Sequence, residues 1–230
     1  MRRITSVELL DTGLLALDEI HANLDDLWRT NRYLGGVSTS LRLLGACLLR
    51  TGKRPLRILE VGAGDGRLAA RLRQQLRQHG FEVEFFVLDC RLIHLQADRA
   101  VAEGLHPVAA DALALPFSQG SFDLVVCNHM FHHFSGHRAV QLLRALSEVA
   151  RNAVVINDLH RHWLPWAFVR AMPWFWRHRV SRLDGAASIR QAYTKSELTE
   201  LASAAGFRDV EVRRLAPFRL GLVLWNTCAP

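Results

Sequence analysis

Lysine is almost missing from this 230-residue chain: Lys53 and Lys195 are the only two among 29 basic residues. The formal charge of +7 is therefore carried by arginine, in part a genomic bias, and the arginines are scattered rather than gathered into a run. A basic chain without a basic patch lacks the usual electrostatic footprint of a nucleic-acid binder. Cysteine is scarce as well. Cys47, Cys90, Cys127 and Cys228 form no C-x-x-C pair and no regular spacing, which argues against a zinc cluster or a disulfide framework and fits a reducing, cytoplasmic compartment. No stretch reaches the roughly 18 uncharged apolar residues that a membrane span needs. The Met-Arg-Arg start resembles a signal n-region, but Asp11, Asp18 and Glu19 break what would be its apolar core. Internal repeats and low-complexity linkers are missing too. What remains is a chain with 50% hydrophobic residues, long enough for one sizeable core with helical additions.

The chain is organised around R-I-L-E-V-G-A-G-D-G, residues 57–66. Leu56, Ile58, Leu59 and Val61 form a nearly unbroken apolar run, as expected of a parallel strand covered on both faces. Gly62, Gly64 and Gly66 then remove Cβ atoms where the backbone must turn and lie against a ligand. The spacing is G-x-G-x-G, not the G-x-G-x-x-G of dinucleotide sites, and Glu60 and Asp65 place carboxylates where a pyrophosphate would be repelled. They suit a ligand carrying an ammonium and a sulfonium. A P-loop is excluded because no Gly-Lys-Ser/Thr follows. A second buried strand, F-E-V-E-F-F-V-L-D-C, ends at Asp89, where an acid about 20 residues beyond a glycine loop reaches ribose hydroxyls. The alternative for Asp89 is a cap for the helix starting near Leu92.

Elsewhere the pattern alternates strands and helices. Residues 5–50 look helical, with Leu10, Leu14, Leu17, Leu24, Leu27 and Trp28 on one stripe, a break at Gly35 and Gly36, and a second helix from about Ser38. This lead-in, residues 1–52, serves either as a lid over the carboxyl edge of the sheet or as core cover. Residues 53–230 form the main domain. Its helix from Arg67 ends at Gly80 and shows Arg67, Arg71, Arg73 and Arg77 as a solvated face; another helix spans Leu92 to Glu103. H-P-V-A-A-D is a short third strand, Phe122 to Asn128 the fourth, and A-V-V-I-N-D-L the fifth, with a helix over His137–Arg151 between the last two. Residues 160–190 are an aromatic-rich insertion in which Pro165 and Pro173 disfavour a long regular helix. Thr194 to Glu197 has the form of a capping box for a helix ending at Gly206. Two closing strands lie near Asp209–Arg213 and Arg219–Trp225.

L-E-V-G-A-G-D-G, V-L-D, A-A-D-A-L-A-L-P-F-S-Q-G-S-F-D-L-V-V-C-N and H-M-F-H-H-F occur in order from Leu56 onward. With this set the chain resembles the class I S-adenosylmethionine-dependent methyltransferases, especially the small-molecule branch that includes the ubiquinone and menaquinone enzymes. The resemblance implies an α/β, Rossmann-like sheet of seven strands in the order 3-2-1-4-5-7-6, the seventh antiparallel, with S-adenosylmethionine as cofactor. It assigns Glu60, Gly62, Gly64 and Gly66 to the methionine end, Asp89 to the ribose and Asp111 with Ala112 to the adenine, places Asn128 beside the methionyl chain, and counts Ala63 and Cys90 among the cofactor-binding residues. Asn128-His129-Met130-Phe131 lacks the two prolines of enzymes that methylate exocyclic amines of bases.

The expected reaction is in-line methyl transfer to a small aromatic or polyketide-like acceptor, at oxygen, with a histidine removing the proton. His133 and His132, after the fourth strand, are the first candidates for that base. His160, in N-D-L-H-R-H after the fifth strand, is the reserve. No metal site is expected. The insertion, in which Trp163, Trp166, Phe168, Trp174, Phe175 and Trp176 alternate with arginines, suits a substrate lid, internal packing or a homodimer contact, a peripheral membrane surface, or stacking on single-stranded nucleic acid. An RNA methyltransferase and a non-catalytic cofactor-binding partner are the alternative functions.

Overall fold

The computed structural model describes residues 1–51, 55–97 and 104–226. Seven strands form one sheet: β1 (Leu56–Val61), β2 (Val83–Asp89), β3 (Leu105–Ala109), β4 (Phe122–Asn128), β5 (Ala150–Leu159), β6 (Val210–Leu215) and β7 (Arg219–Trp225). Their order is β3-β2-β1-β4-β5-β7-β6. β7 runs antiparallel to both β5 and β6, and the other neighbours that meet are parallel. The reversal at β1 and β4 opens a crevice at the carboxyl edge, the usual place for a ligand in such sheets.

Alternation along each strand divides the core between the two faces. From β4, Leu124 and Val126 turn to one side, and Phe122, Val125 and Cys127 to the other. The first side is covered by α3 (Gly36–Thr51), through Leu43, Leu44, Cys47 and Leu48, and by α4 (Arg67–Gln78), through Leu68, Leu72 and Leu76. The second is covered by α6 (His137–Val149) and α9 (Lys195–Ala204). α3 is therefore core cover. It begins at Gly36, two residues before the expected Ser38, and the amide of Thr39 donates to Gly35 O at 2.9 Å.

The rest of the lead-in crosses the carboxyl edge. α1 (Leu9–Thr12) and α2 (Leu17–Tyr33) meet α8 (Arg179–Gln191), which with α7 (Trp163–Ala171) makes up most of the insertion. A single 3-10 turn, Pro173–Phe175, separates α7 from α8. Val169, Trp176 and Ile189 give this cap a small core of its own. Trp163 and Trp174 stay exposed. The first residues strap the cap down: Arg3 Nε donates to Gln191 O at 2.6 Å, and the amides of Leu9 and Leu10 donate to the Asp184 carboxylate at 2.8 and 3.1 Å.

Helix ends follow their sequence signals. Thr194 and Glu197 form the expected capping box of α9, and Gly80 and Gly206 take left-handed φ values just beyond α4 and α9. After β2 comes α5 (Leu92–Leu95); most of the expected continuation to Glu103 lies outside the described residues, as does Cys228. Among the described residues no helix is long and apolar enough to cross a membrane.

Candidate active site

At the end of β1, Glu60 is 1% exposed. Asn128 Nδ2 donates to Glu60 Oε1 at 2.7 Å, whereas Oε2 has no hydrogen-bond partner among the described residues. Burial pushes this carboxyl up to about 7, against the lowering hydrogen bond from Asn128 and with a contribution from Asp65. A buried carboxylate with one open oxygen is suited to an incoming cation. Its position is fixed by a polar chain through the sheet: Ser40 Oγ lies 2.6 Å from Asn128 Oδ1 and accepts from Asn157 Nδ2 at 2.8 Å. α3 thereby sets the rotamers of two strand-end asparagines.

The glycine loop turns where β1 ends. The amides of Gly62 and Ala63 both donate to Leu88 O, at 2.8 and 3.0 Å, and Gly62, Gly64 and Gly66 all have positive φ. A Cβ on Gly62 would stand 2.6 Å from Met130 Cγ, so only glycine lets the loop lie against the segment after β4. Asp89 braces the loop: its Oδ2 accepts from the Gly64 amide and its Oδ1 from the Arg91 amide, both at 2.9 Å, with His94 Nδ1 at 3.2 Å from Oδ1. Cys90 is exposed beside it. Asp111 Oδ1 accepts from the Leu113 amide at 2.9 Å, and Ala112 is buried at the same edge. Asp65 differs from the expectation. It is paired with Arg67, which also reaches Asp25 at 2.6 Å, so of these two acids Glu60 keeps an open oxygen among the described residues.

The histidines after β4 and β5 divide into two groups. His132 is 1% exposed and sits between two acids, Nδ1 at 2.7 Å from Asp158 Oδ1 and Nε2 at 3.4 Å from Glu8 Oε1. Burial would lower its pKa, but the Asp158 charge and hydrogen bond, followed by Glu8, outweigh burial and hold it up at about 10. His132 is thus an imidazolium. Asp158 and Glu8 are both held low against burial by this partner, Glu8 also by His133 and Ser188. His133 Nδ1 lies 3.0 Å from Asp11 Oδ2. Glu8, His132 and His133 bring ligand-type atoms within 4.8 Å of one another. Glu8 Oε1, however, already accepts from Ser188 and Gln191 while facing His132.

His129 and His160 instead line a cavity of about 390 Å³ under the cap. Asn23, Asp26, Leu27 and Thr30 of α2 and Ser181, Asp184, Gly185 and Ser188 of α8 face it at helical spacing. Phe168, Trp176, Leu159 and Phe218 supply apolar wall. His129 directly follows Asn128 and has φ +55°, a sparsely populated conformation for a side chain of this size. Burial, followed by the positive charges of Arg219 and His132, holds its pKa well below the ordinary value despite Asp158. His160 is lowered by burial and by Arg214, His162 and Arg161. Both are neutral imidazoles at neutral pH, chemically able to accept a proton.

Glu8, Ser40, His94 and Arg219 had no place in the sequence reading. Arg219 carried a usable signal, a lone charge heading the apolar run L-G-L-V-L-W. Glu8 carried none, since its partners are more than 120 residues away.

The strand order β3-β2-β1-β4-β5-β7-β6 is that of a Rossmann-like methyltransferase sheet, and residues 58–153 match the family model described as a methyltransferase domain. Over 107 residues the chain is 35% identical to the demethylmenaquinone methyltransferase of Thermus thermophilus, a match that covers 45% of this chain and 48% of that protein. The chain thus spans about half the length of this curated relative. Among solved structures, a SAM-dependent methyltransferase from Aquifex aeolicus superposes with TM-score 0.65 at 17% identity, covering 92% of this chain and 98% of that one. The plantazolicin methyltransferase BpumL in complex with SAH superposes with TM-score 0.71 at 14% identity, covering 94% and 92%. At such identities the likeness is one of fold.

Proposed function

We propose that this protein transfers the methyl group of S-adenosylmethionine to a hydroxyl of a small, planar acceptor held in the cavity under the cap. The observation that carries this reading is the adjacency of two residues: Asn128 belongs to the Glu60 cluster and His129 lines the cavity, so a donor site and an acceptor site adjoin. When bound, S-adenosylmethionine supplies a methyl group already activated by its sulfonium. Glu60 Oε2 would meet the ammonium of the methionine end, the backbone of Gly62, Ala63, Gly64 and Gly66 would pass beneath it, Asp89 with Cys90 would hold the ribose, and Asp111 with Ala112 the adenine. The unpartnered oxygen of Glu60 and the glycine-only approach at Gly62 fit such a ligand.

On the acceptor side, the cap excludes water and aligns the nucleophile, and a neutral histidine takes its proton. In this reading that base is His129, with His160 second, because both line the cavity with their proton affinity lowered. His132 and His133 hold Glu8 and Asp11, and with them the N-terminal strap. The test is a panel of phenolic and polyketide-like hydroxyl acceptors incubated with the purified protein and isotopically labelled cofactor, with products read by mass spectrometry. Methylated product that falls about a hundredfold or more in His129→Gln, with cofactor affinity retained, is the expected outcome. Label transferred to RNA and to none of the small acceptors would overturn it.

A further inference from the structure

Arg219 opens β7 with 1% of its surface exposed. Its Nε donates to Leu34 O at 3.1 Å, whereas Nη1 and Nη2 have no hydrogen-bond partner among the described residues. A buried cation with open donors is expensive to keep and calls for an explanation. The acids around it do not supply one. Asp158 acts on Arg219 through its charge, but its Oδ1 and Oδ2 are taken by the His132 ring, the His132 amide and the Leu159 amide. The acids lining the same cavity are engaged as well: Glu8 by Ser188 and Gln191, Asp26 by the His178 amide and Arg29, Asp184 by the Leu9 and Leu10 amides. Among the described residues Arg219 is therefore a fork of unused donors in a chamber whose lining acids are all engaged elsewhere. The chamber's volume of about 390 Å³ is in the range of small-molecule sites.

We propose that the acceptor is an oxyanion, an apolar planar compound whose carboxylate or acidic phenol is bound by Nη1 and Nη2 of Arg219. This rests on the reading of the cavity as the acceptor site of a methyl transfer. Guanidinium groups favour such oxygens because two N–H donors match their geometry and the hydrogen bonds are charge-assisted. A consequence follows for the neighbouring imidazole. The Arg219 charge is one of the influences holding the His129 proton affinity down, so an anion seated on Arg219 would cancel it and make His129 a better base as the acceptor arrives.

The test compares naphthoate with naphthamide, and para-nitrophenol with para-nitroanisole, by calorimetric titration of the full chain. Each pair shares its ring system and differs in the anion; the first pair reports carboxylate recognition, the second phenolate recognition. Wild-type protein should prefer at least one anion over its neutral partner by about tenfold or more, Arg219→Met should abolish the preference, and Arg219→Lys should retain part of it. Cofactor affinity should be unchanged in both variants. Should Arg219→Met fail to fold by circular dichroism, Arg219→Gln takes its place. Equal or no binding within both pairs in the wild type, or a preference that survives loss of the guanidinium, overturns the proposal. So does a selective loss of cofactor affinity, which would make the cofactor's own carboxylate the anion. Anion preference in a chain that takes up no S-adenosylmethionine would sink the methyl-transfer reading and leave only an anion site at Arg219.

Discussion

Replacing Asp158 by asparagine keeps the size of the side chain and removes one charge from a buried row of three, Glu8, His132 and Asp158. In the wild type Asp158 is 3% exposed and accepts from the His132 ring at 2.7 Å, the His132 amide at 2.8 Å and the Leu159 amide at 2.7 Å. Every group facing the carboxylate is a donor, so the amide NH2 of an asparagine must confront one of them. Removing one partner of a buried pair costs about 3 to 5 kcal/mol, a large share of the stability of an ordinary domain. For a chain of this length that is a fall of about 6 to 20 °C in melting temperature.

The same pair predicts a pH dependence. His132 has a folded pKa of about 10 against an ordinary 6.5, so its stabilising contribution is complete below 6.5 and is lost as pH rises through about 10, by at most about 1.4 kcal/mol per pH unit. Asp158 is held low, so its share is present above its ordinary 3.8 and is lost as pH falls. Both describe one interaction and are counted once. Urea unfolding followed by tryptophan fluorescence at about pH 7 and about pH 9 should show wild-type stability falling with pH, and Asp158→Asn both weaker and flatter. A variant as stable as the wild type with the same slope would refute the assignment of His132 as a buried imidazolium.

Other consequences are as direct. Gly62→Ala places a Cβ 2.6 Å from Met130 Cγ at φ +76°; the conformation alone costs about 1 to 2 kcal/mol, and cofactor affinity should fall with stability when both are measured by calorimetry. Ser40→Ala leaves Asn128 Oδ1 without its donor and should cost about 1 to 3 kcal/mol in urea unfolding. Glu60 has its pKa raised to about 7 and must be ionised to attract a cation, so cofactor affinity should strengthen as pH rises through about 7. Glu60→Gln should flatten that profile.

The sheet was legible because its evidence is local. Apolar runs such as Phe122 to Asn128, the capping box at Thr194 and the glycines at 62, 64 and 66 each specify their own conformation, and the strand order follows once the family resemblance supplies the topology. Glu60 and Asn128 could be placed at the carboxyl edge by counting along their strands. Their partner Ser40 could not, because a serine inside a helix looks the same whether it faces solvent or two asparagines. Charge pairing was less legible: Asp65 is paired with Arg67, while His132 and His133, three and four residues beyond His129, face acids of the N-terminal strap. Those contacts join residues more than 120 positions apart, and neither periodicity nor spacing encodes them.

The carboxyl edge at the ends of β1 and β2 is the proposed seat of an adenosyl sulfonium compound. Titrating the purified chain calorimetrically with S-adenosylmethionine, and in parallel with a nicotinamide dinucleotide, tests it most directly. Saturable binding of S-adenosylmethionine that disappears in Asp89→Ala, with no heat from the dinucleotide, is the predicted result. Uptake of the dinucleotide with indifference to S-adenosylmethionine would contradict it.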